Sequence, residues 1–154
     1  MYLALLASSE ARLGDNEREL IKRFGEPISR GGHSVFAQGK SISLGPTLSF
    51  RQDDWVISCD LIDGRCVRIH YVKRGDWSED HIRLVLNANA QGSLWTEGSK
   101  SGSGKFRREW KRTDGSSAVW TRSGGMDLVW DTYNKAKANV EERAKVEAKK
   151  KPKI

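Results

Sequence analysis

The stretch S-F-R-Q-D-D-W-V-I-S-C-D-L-I-D-G-R-C-V-R-I-H-Y-V-K-R, Ser49 to Arg74, decides the fold. Trp55, Ile57, Cys59 and Leu61 fall on one side of a period-2 strand, and Val67, Ile69 and Tyr71 on one side of the next. The two form a β-hairpin, and its turn sets whether those sides match. A two-residue Asp63-Gly64 turn puts Leu61 opposite Cys66 and sets the apolar row beside Arg68 and His70. A three-residue loop, Ile62-Asp63-Gly64, instead pairs Leu61 with Arg65, Cys59 with Val67, Ile57 with Ile69 and Trp55 with Tyr71. Only the second gives one continuous buried face, so it is the expected register.

That register has a consequence for the two cysteines. It sends Cys59 to the apolar face and Cys66 to the other, beside Ser58 and Asp60. Side chains on opposite faces of a sheet cannot reach bonding distance, so two free thiols are expected, with Cys59 as core filler. The spacing is not that of a CxxC motif, and none of His33, His70 or His81 completes a ligand set. No metal site and no cofactor is expected.

Six tryptophans and fifteen glycines in 154 residues suit a β-rich domain with many tight turns. A mean hydropathy of −0.64 is wet for a globular chain, though 37% apolar content is above disordered composition. The net charge of +7 is unevenly placed. Residues 135–154 hold eight basic residues against three acidic ones, leaving a charge of +2 for residues 1–134. The basic tail reads as solvated, with Lys149 to Lys153 disordered. At the other end, Met1 to Ala11 combines a short apolar run with Ser9-Glu10-Ala11, a small-x-small cleavage pattern. It lacks a basic n-region, so it is either the remnant of an incomplete secretory leader or a buried or frayed N-terminal segment. The leader reading makes the protein exported, periplasmic or secreted; the other makes it cytoplasmic. No stretch reaches the ~20 apolar residues that span a bilayer.

Along the chain, Asn16-Glu17-Arg18-Glu19 is a capping box for a helix carrying Leu20, Ile21 and Phe24, closed by Gly25 and Pro27. Weakly alternating segments at 33–37 and 40–44 precede the hairpin. A second helix starts at Ser78, with Glu79 and Asp80 in its first turn and Ile82, Val85 and Leu86 inward. Leu94-Trp95 begins another strand. Glu97 to Lys105 is expected to be a flexible Gly/Ser loop; its Gly104-Lys105 lacks the earlier Gly and following Ser/Thr of a phosphate-binding loop. Strands at 105–112, 117–123 and 126–132 follow, with Asp114-Gly115 and Gly124-Gly125 as turns. From Tyr133 a charged helix carries a thin stripe of Tyr133, Ala136, Val140, Ala144 and Ala148. The plan, helix then strands, occurs twice at a constant offset of 62: Leu20 with Ile82, Phe24 with Leu86, Val67 with Val129, Tyr71 with Tyr133. The expected fold class is α+β: an antiparallel sheet with short helices on one face, a tandem α-then-β duplication, and a charged C-terminal helix. Residues 12–133 form one domain with halves 16–74 and 77–133, and 134–154 a basic tail.

The leader, E-R-E-L-I-K-R-F-G-E-P, and the hairpin around D-G-R-C-V-R-I-H-Y together resemble small exported bacterial proteins of uncharacterised function. The helix–F-G-E-P–strand–strand–D-G–strand order also resembles the SmpA/BamE-like and β-lactamase-inhibitor-protein-like group. The likeness runs over Glu17 to Tyr71, with Trp77 to Tyr133 as a second copy. It implies short helices on an antiparallel sheet and a role in binding other proteins. There is no lipobox cysteine near the leader, so no lipid anchor is implied, and the 31–53 segment exceeds a minimal unit of the group.

For function, no nucleophile elbow, His-paired nucleophile or carboxylate pair on a recognisable scaffold is present, so no catalytic residue is assigned and no enzyme is expected. Asp53-Asp54 reads as a polar turn and His70 as a solvated strand residue. A nucleic-acid binder would use Phe106 to Arg112, where Phe106, Arg108, Trp110 and Arg112 share a strand face, with the basic tail. The preferred reading is a non-catalytic protein-binding module with an open, tryptophan-rich sheet face. A Gly124-Gly125 turn puts Val119, Leu128 and Trp130 on one side of the last hairpin and Trp120, Arg122 and Val129 on the other. Trp95, Trp110, Trp120 and Arg108 are the candidate binding residues.

Overall fold

Asp63 and Gly64 make the hairpin turn by themselves. Both are left-handed, at φ 50° and 77°, and Ile62 pairs directly with Arg65. This is the two-residue turn that Asp-Gly favours, and the expected three-residue loop is corrected. The conflict between its two faces is resolved one step later. Leu61 pairs with Cys66 and Asp60 with Arg68, so Val67 is an extra residue, a β-bulge. The bulge moves the frame by one. Cys59 then faces Ile69 and Ile57 faces Tyr71, while Trp55 lies opposite Lys73. Cys59, Cys66, Ile69 and Tyr71 are all buried in one core cluster. The expectation that the cysteines point to opposite faces is therefore overturned, although both are unbonded thiols.

The computed structural model describes residues 12–102 and 104–150. The segment Met1 to Ala11, read as a leader remnant, and residues 151–154 of the basic tail lie outside the described residues. The first helix, α1 (Glu17–Phe24), starts at Asn16, whose side chain accepts from the Glu19 N–H while Glu19 returns the bond. It is followed by β1 (Ser29–Ala37), β2 (Lys40–Gln52), β3 (Trp55–Ile62) and β4 (Arg65–Lys73). Then come α2 (Glu79–Ala88), β5 (Trp95–Ser101), β6 (Arg107–Arg112), β7 (Ser117–Thr121), β8 (Gly125–Val129) and α3 (Asp131–Lys150). The expected Gly/Ser loop is in part an ordered edge strand, since β5 runs through Glu97 to Ser101 and pairs with β6.

All eight strands form one antiparallel sheet in the order β1-β2-β3-β4-β8-β7-β6-β5. Each half is thus a helix and a four-strand meander, and the meanders meet through their last strands. The two N-caps, Asn16 and Ser78, lie 62 residues apart, as do the starts of β3 and β7 at Trp55 and Ser117. Both helices close a capping box, the second with His81 in the position Glu19 holds in the first.

The core lies between the sheet and α1 and α2. Phe24 packs on Phe50 with ring centroids 5.2 Å apart, and Ile82, Val85 and Leu86 of α2 join Ile57, Cys59, Tyr71, Met126 and Leu128. At the centre Asn89 is fully buried and fully used. Its Oδ1 accepts from the Leu13 N–H, and its Nδ2 donates to Tyr71 Oη and the Val85 carbonyl. Such a residue ties loop, helix and strand together, because leaving any of its groups unpaired in the core costs ~1–3 kcal/mol. The third helix, α3, meets β1 and β4 and buries no residue fully. Both outer pairings shift register: Leu44 of β2 is an extra residue opposite His33 and Ser34 of β1, and β5 carries one between Glu97 and Lys100.

Candidate binding face

Alternate residues of every strand point away from α1 and α2, and cross-strand pairing sorts them into rows. One row is Ser49, Ser58, His70, Asp127, Val119 and Glu109, running from β2 to β6. A second is Thr47, Asp60, Arg68, Val129, Ser117, Lys111 and Thr96, from β2 to β5. A third begins with Arg51, Val56 and Val72. Every residue of these rows is half-buried or exposed. α3 starts at the lower end of this face, where the Trp130 N–H donates to the Val67 carbonyl at 2.8 Å and Tyr133 lies near Arg68. It runs to the tip of the β1–β2 hairpin, where Ala144, Glu147 and Ala148 face Ala37, Lys40 and Ile42 across a groove of about 370 Å³.

The chemistry of the face is polar and internally paired. Arg68 grips Asp127 with two bonds, Nε to Oδ1 at 3.0 Å and Nη2 to Oδ2 at 2.9 Å. His70 Nδ1 stands 3.7 Å from the same carboxylate. Burial works against the charge on Asp127, but His70 and Arg68 outweigh it and leave its carboxyl below the usual range. Thr47 donates to Asp60 at 2.6 Å, and the Ser49 and Ser58 hydroxyls bond each other at 3.0 Å. Ser58, His70 and Asp127 sit on neighbouring strands, the residue types of a hydrolytic triad. Ser58 is engaged by Ser49, however, and the His70–Asp127 separation exceeds hydrogen-bond reach. In mid-sheet, backbone N–H groups are also committed to ladder bonds and cannot form an oxyanion hole. The row holds charge and assembles no nucleophile–base pair.

The candidate tryptophans lie elsewhere. Thr121 pairs with Gly125 and Trp120 with Met126, so the last hairpin turns through Arg122, Ser123 and Gly124 and not through Gly124-Gly125. That one-residue change turns Trp120 and Ala118 inward with Met126 and Leu128, and turns Val119 outward. Trp120 is 8% exposed and Trp110 4%. Trp95 is half-buried, and its Nε1 donates to the Leu86 carbonyl at 2.9 Å. Trp55, Trp77 and Trp130 also pack against the core cluster. The sheet face away from α1 and α2 therefore carries no tryptophan.

Arg108 is on the inner side as well, with its guanidinium 5.0 Å above the Trp110 ring. It bonds both oxygens of Glu97, at 2.8 and 3.0 Å, and both of Glu79 at the start of α2, at 2.6 and 3.1 Å. Those carboxylates, Glu97 first, hold it protonated far above its ordinary range, and Arg108 in turn lowers both of theirs. Arg112 is almost fully buried, donating to the Asn89 carbonyl, Gln91, Asp114 and Ser116. Its guanidinium lies 5.6 Å from the Trp95 ring. The strand face expected to stack bases and hold phosphates is thus spent on internal carboxylates and indoles. What the sequence reading missed were Arg68, Asp127, Val119 and Lys111: the outward facing of Val119 and Lys111 follows from the turn of the last hairpin and the β6–β7 register, and the Arg68–Asp127 pair from β4 meeting β8.

Among the described residues, no three or more His, Cys, Asp or Glu side chains are placed to hold a metal ion, and no helix is long and apolar enough to cross a membrane. No family model, no curated protein and no solved structure matches this chain.

Proposed function

We propose that this protein is a non-catalytic binding module that engages another protein through the sheet face opposite α1 and α2. The observation that carries the reading is the unequal covering of the sheet. One face is packed by two helices and all six tryptophans, while no residue of the rows around His70, Asp127, Val119 and Lys111 is fully buried. Eight strands held by a continuous core make a broad, pre-organised surface, which lowers the ordering cost of association. On that surface Val56, Val72, Val119 and Val129 alternate with charges of both signs, the mixture of apolar contact and polar rim that non-obligate interfaces use. The partner is met by valines and paired charges, and the tryptophans serve as support beneath them. The sequence resemblance to exported binding proteins fits this role, and export to the periplasm or outside the cell goes with the leader reading of Met1 to Ala11.

The test is site-specific photocrosslinking. A photoreactive residue is placed at Val119 or Thr121 on the open face, and at Arg83 on exposed α2 as a control, in protein expressed in its native cells. A discrete protein adduct from Val119 and Thr121, absent from Arg83, is expected. Adducts to nucleic acid, or protein adducts from Arg83 alone, would refute the assignment.

A further inference from the structure

β1 is the margin of the sheet that nothing blunts. It runs unbroken from Ser29 to Ala37, and the extra residue of its pairing, Leu44, belongs to β2. Outer strands are commonly guarded by lysine, proline or a bulge of their own, and S-R-G-G-H-S-V-F-A contains none of these. Its one charged residue, Arg30, is already held by Glu17 at 2.6 Å. The turns on either side of β2 show which way the backbone of β1 points. Gln38-Gly39 and Asp53-Asp54 are two-residue turns, and the pair that closes such a turn is hydrogen-bonded. From the first turn, Ala37 and Val35 bond to β2. From the second, the even residues of β2 bond to β3, which leaves Thr47 and Ser49 for Gly31 and Ser29. Arg30, Gly32, Ser34 and Phe36 therefore turn their N–H and C=O groups outward, and all four are exposed.

The apolar side chains of this margin are placed evenly about its centre. Ile28, immediately before β1, is 55% exposed and Phe36 is 75% exposed, and Gly32 is midway between them. We infer that the chain forms a two-fold dimer in which β1 pairs with β1 of a second copy, antiparallel and centred on Gly32. Gly32 then exchanges backbone bonds with its counterpart. Arg30 lies opposite Ser34 of the other copy, so no like charges meet, and Ile28 lies opposite Phe36 at both ends of the contact. The spacing identifies the occupant: a strand reversed about its own midpoint covers both exposed side chains with each other, twice over. The symmetry also fixes the size of the assembly. A β1-to-β1 contact is the same patch on both copies and stops at two, whereas a head-to-tail contact from β1 to β5 would grow without end. That second contact meets the extra residue of β5 between Glu97 and Lys100. The pairing engages the margin and leaves the face opposite α1 and α2 free, so it stands or falls independently of the binding proposal.

The test uses the full chain. A Cβ at Gly32 meets only the Gly45 carbonyl oxygen, at 3.5 Å, which is ordinary contact, so Gly32→Cys should fold. Cα atoms of a bonded antiparallel pair lie about 5.5 Å apart, within disulfide range. Mild oxidation of Gly32→Cys is expected to give a covalent dimer, and Gly98→Cys on β5 to give none. Sedimentation velocity of the unaltered chain over a concentration series should show monomer and dimer alone. Gly32→Pro removes an outward N–H, a change outer strands tolerate, and Phe36→Lys sets a charge against Ile28. Each should be monomeric at concentrations where the unaltered chain is dimeric, and Phe36→Lys should keep its Tm because the side chain is exposed. A monomer at every concentration, a ladder of larger species, a dimer that persists in Phe36→Lys, or equal cross-linking through Gly98→Cys would overturn the inference.

Discussion

Gly125→Ala should open the seam between the two halves of the sheet. Gly125 begins β8 beside β4, the pairing through which the two meanders meet. A Cβ built there lies 2.2 Å from the Tyr71 carbonyl oxygen and 3.4 Å from Val72 Cα. The oxygen is backbone in a paired strand and cannot swing aside, so β4 and β8 must separate locally. Overpacking of this kind costs ~1–3 kcal/mol. The backbone at φ 81° adds ~1–2 kcal/mol for any residue with a Cβ. The sum, ~2–5 kcal/mol, is a large share of the ~5–15 kcal/mol that holds a domain together. Gly64→Ala is the internal control. Its φ is 77°, yet nothing lies within 4 Å of its added Cβ, so it should show the ~1–2 kcal/mol backbone cost alone. Urea unfolding followed by tryptophan fluorescence gives both values. Equal losses for the two variants would show that close approach at the seam contributes nothing, and the argument would fail.

Trp120→Ala should cost ~3–5 kcal/mol by urea unfolding, as an emptied core site does. Trp120→Phe should cost well under half as much, because the Trp120 Nε1 has no hydrogen-bond partner among the described residues and its loss relieves a buried orphan. A Trp120→Ala loss within about 0.5 kcal/mol would place this indole at the surface. His81 makes the second helix acid-sensitive. Its Nδ1 accepts the Ser78 N–H at 2.9 Å, which only the unprotonated nitrogen can do, and burial first, then Lys73, lowers its pKa against the pull of Asp80. A lowered folded pKa means this stabilisation is complete above the unfolded value of about 6.5 and is lost as pH falls through the folded one. Trp55 and Trp77 pack edge-on against the ring, so their fluorescence should titrate in that window and cease to do so in His81→Gln. Truncation after Val140 should lower Tm by only a few degrees, since α3 buries no residue fully; loss of cooperative unfolding would show that the helix is integral to the core.

Period and capping chemistry were legible in the sequence because they are local. Asn16 with Glu19, and Ser78 ahead of Glu79 and Asp80, announce both helix starts, and alternation announces β3, β4, β7 and β8. The offset of 62 residues carries the repeated plan, and the capping boxes respect it to the residue. Facing was not legible. In the first hairpin, continuity of the apolar row argues for a longer loop, whereas the chain keeps the tight Asp63–Gly64 turn and corrects the row with a bulge at Val67. In the last hairpin, Gly124-Gly125 looks like the turn, yet Gly125 is already strand. Each error is one residue long. Because strand side chains alternate with period 2, one residue exchanges inside for outside. That is how Cys66 and Trp120 moved into the core and Val119 to the face. The cations of β6 were misread for another reason: Arg108 and Arg112 look free until Glu79, Glu97 and Asp114, distant or across a turn, come to meet them.

The break in register at the β5 margin of the sheet bears on how the protein behaves in a crowded solution. A straight outer strand offers its unused N–H and C=O groups to any extended chain, and a second copy is the nearest such chain at high concentration. β5 carries an extra residue between Glu97 and Lys100, with a lysine at the break, whereas β1 is continuous and the extra residue at its margin, Leu44, belongs to β2. The β5 margin does not present an even ladder that another copy could continue. A sheet of eight strands is thereby blunted against growth at its β5 end. Copies of this chain should not join through β5 on concentration, and straightening that margin by deleting its extra residue should be what lets them pair there.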